Sequence, residues 1–330
     1  MSQMKKLVLL LLLILTSSAC TSRVTESTIM SLSSETQEGL IILQEPRGQR
    51  EKVFVIDDHI CSIYERGKNN YVLEIKSMED TSYVVNLIPY GSKHGEMLLV
   101  DCSASGSKIL IRDVVQNTYI VVDIKQVLED SSHSIEVLPM TLLTQEMVPF
   151  GNDKLLYLNQ GSFRSKEPRF YIIGAEEQGH MLTQNGRKSL NVLDGTLLYN
   201  PTAGKVAFVS MYSPQIELYN AKTKKILSTT SIARSEDAEV VYVDTENISE
   251  YLFANKVPLC FLTATSDEDR IVAVYRDEQD FSHILLFDWD GNLQSGFIAG
   301  GEVWSVSIYN DYIYCWEKAR EHDRLVRYKY

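Results

Sequence analysis

The segment Tyr309-Asn310-Asp311-Tyr312-Ile313-Tyr314 joins two alternating apolar runs through an Asn-Asp turn, which is the pattern of a β-hairpin. Five further segments follow the same plan, and their turns contain Asp57-Asp58, Gly106-Ser107, Asn152-Asp153, Ala203-Gly204 and Glu268-Asp269. The second runs of successive hairpins begin on average about 51 residues apart, and a period near 50 is typical of a β-propeller. The sequence therefore predicts an all-β fold, a six-bladed β-propeller of four-stranded antiparallel blades.

The two ends of the repeat region complement each other. The sixth unit ends at Tyr330 one strand short of four, whereas the apolar run Gly39-Leu40-Ile41-Ile42-Leu43 precedes the first unit and belongs to none. Pairing of this run with the sixth unit would close the ring and cover two exposed sheet edges. We therefore predict closure by an N-terminal strand. Residues 235–256, an insertion before the fifth unit, are predicted to form a long irregular loop.

The first residues have the composition of an export signal. Lys5 and Lys6 precede nine apolar residues, and the small residues Ser17-Ser18-Ala19 follow. The apolar run is far shorter than the roughly 20 residues that a transmembrane helix needs. We predict that residues 1–19 are a signal peptide and that Cys20 is acylated as in bacterial lipoproteins. Secretion without acylation is the alternative, because Ser17 stands where the lipoprotein motif prefers leucine.

The remaining chain divides by composition. Residues 20–38 are rich in Ser, Thr and Glu and show no period of 2 or 3.6, which predicts a lipidated cysteine followed by a flexible tether. Residues 39–330 are predicted to form the propeller domain. Two or three acyl chains on Cys20 would hold this domain on a membrane without a transmembrane helix.

Charge and cysteine usage limit the possible partners. The formal net charge of −12 becomes −14 when Lys5 and Lys6 leave with the signal, which argues against nucleic acid and against docking of the protein surface on anionic headgroups. The remaining cysteines lie in or beside strand-like apolar runs and are predicted to be buried free thiols, although an exported chain can also form disulfides. These cysteines are Cys61, Cys102, Cys260 and Cys315.

The chain resembles the TolB-like six-bladed propeller lipoproteins of Gram-negative bacteria. The resemblance rests on the export signal, the six units, the glycine-rich turn 90–97 and the junction 286–293. The family turn usually has Gly-Pro-Gly-Glu, whereas this chain has Lys93-His94-Gly95-Glu96. The resemblance covers residues 40 to 330 and implies the fold and a place in the cell envelope, at the outer membrane. It brings no catalytic residue with it.

Motifs for catalysis or cofactor binding are absent from the sequence. There is no Gly-x-Ser-x-Gly, no His-Glu-x-x-His, no phosphate-binding loop and no Cys/His pair with zinc spacing, so no cofactor and no metal are predicted. Asp267-Glu268-Asp269 could coordinate calcium, but its place in a hairpin favours a solvated turn. Trp304 and Trp316 lie in strand runs, which favours packing between blades over a carbohydrate platform.

Two function classes follow. The first is a membrane-tethered, non-catalytic binding or scaffold lipoprotein of the cell envelope. The alternative is a propeller hydrolase or lyase acting on a sugar or lactone, because propellers host such sites and their residues are dispersed in sequence. Carboxylates from different blades that converge at one channel mouth would favour the enzyme.

A partner surface is predicted on one face of the disc, where the loops between second and third strands emerge. The formal charges of these loops nearly cancel, whereas the chain as a whole is acidic. Aromatic and arginine side chains are the usual anchors of interfaces. We predict that an envelope protein or an anionic glycan binds there through Phe163, Arg164, Arg169, Arg66, Tyr212 and Arg276.

Overall fold

The computed structural model describes residues 20–32, 36–47, 52–66, 70–78, 82–89, 100–113, 116–130, 137–139, 146–150, 154–158, 170–174, 180–182, 195–223, 225–233, 240–244, 249–253 and 259–330. Strand β1 (Cys20–Thr25), helix α1 (Glu26–Leu32) and strand β2 (Leu40–Pro46) precede the repeats. Within the described residues, the following strands form six larger sheets and one two-stranded hairpin.

Each larger sheet is numbered by its order in the chain. Sheet 1 contains β3 (Lys52–Ile56), β4 (His59–Arg66), β5 (Asn70–Ser77) and β6 (Ser82–Pro89). Sheet 2 contains β7 (Val100–Ser105), β8 (Lys108–Asp113), β9 (Thr118–Asp123) and, after helix α2 (Ile124–Glu129), β10 (Leu138–Pro139). Sheet 3 contains β11 (Met147–Pro149), β12 (Lys154–Leu158), β13 (Phe170–Gly174) and β14 (His180–Leu182).

The second half of the chain continues the pattern. Sheet 4 contains β15 (Gly195–Asn200), β16 (Lys205–Ser210), β17 (Gln215–Asn220) and β18 (Ile226–Ala233). The small hairpin of β19 (Val240–Asp244) and β20 (Ser249–Phe253) follows. Sheet 5 contains β21 (Phe261–Ser266), β22 (Arg270–Arg276), β23 (Ser282–Asp288) and β24 (Leu293–Ile298). Sheet 6 contains β25 (Glu302–Tyr309), β26 (Tyr312–Lys318) and β27 (His322–Lys329), with β2 beside β27.

Consecutive strands within each of these sheets pair antiparallel. The first strands of all six sheets contribute to the lining of one cavity, so they are the inner strands. The fold is a β-propeller. This confirms the all-β prediction and the antiparallel four-stranded blades.

The turns between first and second strands lie at one end of the sheets, which we call the hairpin face. Asp57, Gly106, Gly204 and Asn310 in these turns have φ angles of 52°, 57°, 61° and 53°. Positive φ is required by tight hairpin turns and is tolerated by Gly, Asn and Asp. The Gly, Asn and Asp residues that recur in the turns of the sequence therefore predict these hairpins, because these residue types tolerate the positive φ that the turns require.

The core consists of apolar layers between neighbouring sheets. Among the described residues, five clusters lie between sheets that follow each other in the chain, and a sixth joins sheet 6 to sheet 1. This last cluster contains Val53, Val55 and Ile60 of sheet 1 with Tyr314, Trp316 and Leu325 of sheet 6. Packing of the last sheet on the first brings the two ends of the repeat region together.

Strand β2 pairs antiparallel with β27, with Leu40 opposite Arg327 and Pro46 opposite His322. This is the pairing partner that the sequence predicts for the run 39–43. Ile42 and Leu43 are half-buried against the cluster between sheets 6 and 1. The strand thus supplies the fourth position of sheet 6.

The segment predicted to be a tether contains regular structure instead. Strand β1 pairs in parallel with β18, with Cys20 opposite Ser228, and α1 buries Ile29 completely between sheets 4 and 5. Ile29 is one of the scattered apolar residues in a polar segment, and its burial contributes roughly 1.5–3 kcal/mol. Residues 20–32 are therefore not a free linker, which corrects the prediction for this part of 20–38.

Two smaller outcomes concern the insertion and the thiols. The predicted irregular loop 235–256 is wrong where β19 and β20 pair, from Val240 opposite Phe253 to Asp244 opposite Ser249. Cys61, Cys102, Cys260 and Cys315 are buried free thiols, as predicted. Burial raises the pKa of the Cys61 thiol to about 12, which keeps it protonated and inert at neutral pH.

In the described part of the chain, no helix has the length and apolar character needed to cross a membrane.

Candidate functional site

The six inner strands enclose a cavity of about 550 Å³ at the hairpin face. Its lining consists of the last residues of the first strands and of the turns that follow them. Hydroxyl groups predominate among the polar side chains, from Ser105, Ser107, Thr265, Ser266, Ser307 and Tyr309. Lys108 supplies a cation and Asn200 an amide. The volume lies within the range of roughly 300–1,000 Å³ that small-molecule sites occupy.

Hydrogen bonds between neighbouring inner strands fix this lining. Ser307 Oγ accepts from the Val55 N–H at 3.0 Å, which joins sheet 6 to sheet 1. Asn200 Nδ2 donates to the Glu268 carbonyl at 2.7 Å, which joins sheet 4 to sheet 5. Because the lining groups come from rigid strands, a ligand would not have to order them on binding.

Three carboxylates from two sheets line the same cavity: Asp57 of sheet 1 and Asp267 and Glu268 of sheet 5. Asp267 Oδ1 accepts the backbone N–H groups of Asp269 at 2.9 Å and Arg270 at 2.7 Å. Such bonds are those of an Asx turn, in agreement with the turn interpretation of 267–269.

The other acidic lining groups also have partners. Asp57 Oδ2 lies 3.7 Å from Lys125 Nζ, and Glu268 Oε1 accepts from Thr202 Oγ1 at 3.2 Å. No group of three or more His, Cys, Asp or Glu residues in the described ranges is placed to hold a metal ion.

The opposite end of the sheets, where second and third strands are connected, is called the loop face. A charged network links three sheets there. Lys52 Nζ of sheet 1 lies 3.2 Å from Asp101 Oδ1 of sheet 2, and Arg112 pairs with Asp101 and, at 3.6 Å, with Glu146. Burial by itself would raise the pKa of Asp101, but Lys52 and Arg112 together hold it well below its usual range. The network therefore ties inner strands together through charge.

Replacement of Asp101 by asparagine is expected to lower the free energy of unfolding at pH 7 by about 1–2 kcal/mol, because Lys52 and Arg112 lose their counter-ion. The figure is reduced from that of a fully buried pair since the Asp101 side chain is 37% exposed. A carboxyl whose pKa is depressed by folding stabilises above its unfolded pKa of about 4 and loses this contribution as the pH falls towards its folded pKa. The difference between wild type and variant should thus shrink below pH 4 in urea titrations. An equal difference at pH 3 and pH 7 would contradict the charged network.

Exposed aromatic side chains lie at the loop face between sheets 5 and 6. Trp304 is 45% exposed and Phe281 49% exposed. Lys318 Nζ lies 3.3 Å from the centre of the Trp304 ring, which is a cation–π contact. The prediction that Trp304 packs between blades is wrong, because a register shift between Val303 and Ser305 takes it out of the alternation. Trp316, which is 1% exposed, packs between blades as predicted.

The predicted partner residues are only partly described. Phe163, Arg164 and Arg169 lie outside the described residues, as do His94 and the glycine-rich turn 90–97. Arg66 ends β4 at the loop face, and half-buried Tyr212 lies between β16 and β17 at the same face.

Arg276 ends β22, near Phe281 in the chain that follows, but is engaged in ion pairs. Its Nε lies 2.9 Å from Asp280 Oδ1 and its Nη1 3.2 Å from Glu302 Oε1. A partner that binds Arg276 must therefore compete with these carboxylates. Of the six predicted residues, Arg66, Tyr212 and Arg276 lie at the predicted face.

No family model and no curated protein matches this chain. Solved structures share its fold. A crystal structure of a "putative exported protein" from Bacteroides fragilis has a TM-score of 0.52 at 10% identity and covers 94% of this chain and 99% of its own. A calcium-binding protein, regucalcin, from Agrobacterium tumefaciens has a TM-score of 0.47 at 12% identity and covers 94% and 95%. At 10% identity, the likeness to the Bacteroides fragilis structure shows the fold alone.

The sequence gives no local signal for the cavity. Each sheet contributes only a few lining residues, and those of neighbouring sheets lie tens of residues apart along the chain. The one available signal is the repeat itself, because the ends of first strands in successive blades must meet around the central axis.

Proposed function

We propose that this protein is an exported, membrane-tethered, non-catalytic binding lipoprotein of the cell envelope, and that it holds a small polar molecule in the cavity. The cavity at the centre of the inner strands carries the proposal. Its hydroxyl and amide groups suit a ligand that is itself rich in hydroxyl groups, such as a sugar. When such a ligand is buried, the polar groups of the ligand and those of the protein need hydrogen-bond partners, and each can supply them to the other.

The proposal includes a six-bladed ring that β2 closes. Support comes from the six sheets that line one cavity, from the apolar cluster between sheets 6 and 1, and from the pairing of β2 with β27. A closed ring leaves no open seam between its first and last blades, and it makes the cavity a central one.

Export and anchoring are supported by the signal-like residues 1–19 and by Cys20 directly after Ala19. The fold neighbour from Bacteroides fragilis is itself described as exported. We place the anchor in the outer membrane, as the resemblance to the TolB-like lipoproteins implies. Labelled palmitate should enter the wild type and not Cys20→Ser. Release of an unlabelled wild type into the soluble envelope fraction would contradict the anchor.

The ligand proposal is tested by blocking the cavity. Thr265 lines it, whereas Thr263 of the same strand does not, and both are half-buried. Wild type, Thr265→Trp and Thr263→Trp are incubated with an extract of envelope small molecules, and retained compounds are identified by mass spectrometry. We expect a compound that the wild type and Thr263→Trp retain and Thr265→Trp loses by at least tenfold. Equal retention by all three folded proteins would reject the cavity as the site.

A hydrolase or lyase acting on a sugar or lactone is the second candidate. It is favoured by Asp57 and Glu268, which line one cavity from different sheets. Two carboxyl groups are the usual acid and base in glycoside hydrolysis. Incubation of the retained compound with the wild type should leave its mass unchanged if the protein only binds. Conversion that Asp57→Asn abolishes would instead establish the enzyme.

A protein or glycan partner at the loop face remains a proposal beside the cavity ligand. Phe281 and Trp304 supply exposed aromatic surface and Arg276 a cation, at the same face as the predicted Arg66 and Tyr212. The predicted Phe163, Arg164 and Arg169 belong to the same hypothesis. Crosslinking in intact envelopes should lose its product in Phe281→Ala/Trp304→Ala. An unchanged product with that folded variant would move the partner elsewhere.

A further inference from the structure

The position of Cys20 in the fold defines where an acyl chain would leave the protein. Strand β1 runs parallel to β18, with Cys20 opposite Ser228 and Thr25 opposite Ala233. Strand β18 begins at Ile226, directly after the turn that follows β17. Cys20 is thus about one pair of residues from this turn, and no spacer separates it from the propeller.

The turn between β17 and β18 belongs to the hairpin face. The Ala221 N–H donates to the Gly204 carbonyl at 2.8 Å, which holds this turn against the turn between β15 and β16. The latter turn lines the cavity through Pro201. An acyl chain on Cys20 would therefore emerge on the same side as the cavity.

Two exposed lysine side chains lie in the turn next to this exit point. Lys222 and Lys225 are exposed in the turn, and their backbone groups, rather than their side chains, make its hydrogen bonds with Asn220. The nearby Asp290 carboxylate is paired with Lys205 at 2.7 Å. The Asp290 carboxylate therefore does not cancel the positive charge of Lys222 and Lys225. This local positive charge contrasts with the net charge of −12 for the whole chain.

Exposed aliphatic side chains lie at the same end of the outer strands. Leu227 follows the lysine turn and is 37% exposed. On sheet 6, Leu40 and Ile41 begin β2 and are 56% and 47% exposed, and Leu40 lies opposite Arg327 near the hairpin end of β27. A lysine turn followed by an exposed leucine has the composition of a surface that lies in a membrane interface.

We propose that the turn between β17 and β18, together with Leu227, is a second membrane contact that binds anionic lipid headgroups beside Cys20. This rests on the proposed acylation of Cys20. The carboxylates of Asp57, Asp267 and Glu268 also lie at the hairpin face and are repelled by the same headgroups, but they line the central cavity, and this repulsion is screened beyond roughly 10 Å. The anchor and the lysine turn together turn the hairpin face, and with it the cavity, towards the bilayer. The net charge of the whole chain argues against headgroup docking, but docking depends on the local charge near the surface.

The test attaches the protein chemically, so that it does not depend on acylation in the cell. Residues 20–330 are coupled through Cys20 to a maleimide lipid, because the other four cysteines are buried and free. Vesicles contain either phosphatidylcholine alone or equal parts of phosphatidylcholine and phosphatidylglycerol. Lysine acetylation is then read residue by residue by mass spectrometry.

On the anionic vesicles we expect the reactivity of Lys222 and Lys225 to fall about tenfold relative to the neutral vesicles, whereas Lys318 at the loop face stays unchanged. Lys329, at the hairpin end of sheet 6, should also be protected on the anionic vesicles, and its reactivity is compared between variants because none of them replaces it. Its protection should disappear in Lys222→Glu/Lys225→Glu. It should persist in Arg47→Glu/Arg320→Glu, which changes the net charge by the same amount at the loop face.

Two results would overturn the proposal. The first is equal reactivity of Lys222 and Lys225 on both kinds of vesicle, which would leave the anchor as the only contact. The second is protection of Lys318 instead, which would turn the loop face to the membrane. A failure of palmitate labelling in the cell would reject the natural anchor but would not change either readout.

Discussion

Replacement of Trp316 by alanine is expected to lower the free energy of unfolding by about 3–5 kcal/mol. Trp316 is 1% exposed and fills the layer between sheets 6 and 1, where the two ends of the repeat region meet. Truncation leaves a cavity that rigid strands on both sides cannot collapse into, so the lost contacts are not replaced. The free energy of unfolding is measured by urea denaturation, followed by the backbone circular dichroism signal rather than by tryptophan fluorescence.

Trp304 provides the matched control because it is the same residue type on the adjacent strand of sheet 6 and is 45% exposed. Trp304→Ala should cost less than about 1 kcal/mol, since it removes little buried surface. If Trp316→Ala were as mild as Trp304→Ala, sheets 6 and 1 would not be packed as described and the ring would be open.

Removal of β2 is expected to have the second large effect. A chain that begins at Gly39 retains β2 but lacks α1 and the buried Ile29, and a chain that begins at Arg47 lacks all three. We expect the second chain to melt at least about 10 °C below the first, because the edge of β27 and the apolar side of sheet 6 become exposed. Far-ultraviolet circular dichroism during heating measures both midpoints.

The comparison is made between the two shortened chains, so that loss of Ile29 is common to both. Size-exclusion chromatography should also show self-association of the chain that begins at Arg47, since an unpaired edge strand can pair with another copy. Equal midpoints and a monomeric elution for both chains would contradict closure of the ring by β2.

The fold was predictable where short-range chemistry repeats. Asp57 and Asn310 adopt positive φ in tight turns, and this requirement depends only on residues next to them. The alternation of strands such as β23 likewise reflects a local pattern. The run at Leu40 could be assigned because the sixth unit was visibly incomplete.

Other features depend on contacts that no local pattern encodes. Strand β1 pairs with residues about two hundred positions away, in a segment with no strand period, so its polar composition indicated a tether. The exposure of Trp304 follows from a register shift that inverts the alternation at one position. The cavity arises from six separate strand ends, and only the packing of the sheets brings Asn200, Thr265 and Ser307 together.

The central claim, that the cavity is the binding site, is tested most directly by a crystal structure of the protein with the compound that it retains from the envelope extract. We predict that the compound lies among the inner strands, with hydrogen bonds to lining groups of at least three sheets, among them Ser105, Asn200 and Thr265. A cavity that contains only water while the compound lies at the loop face or on an outer strand would contradict the account.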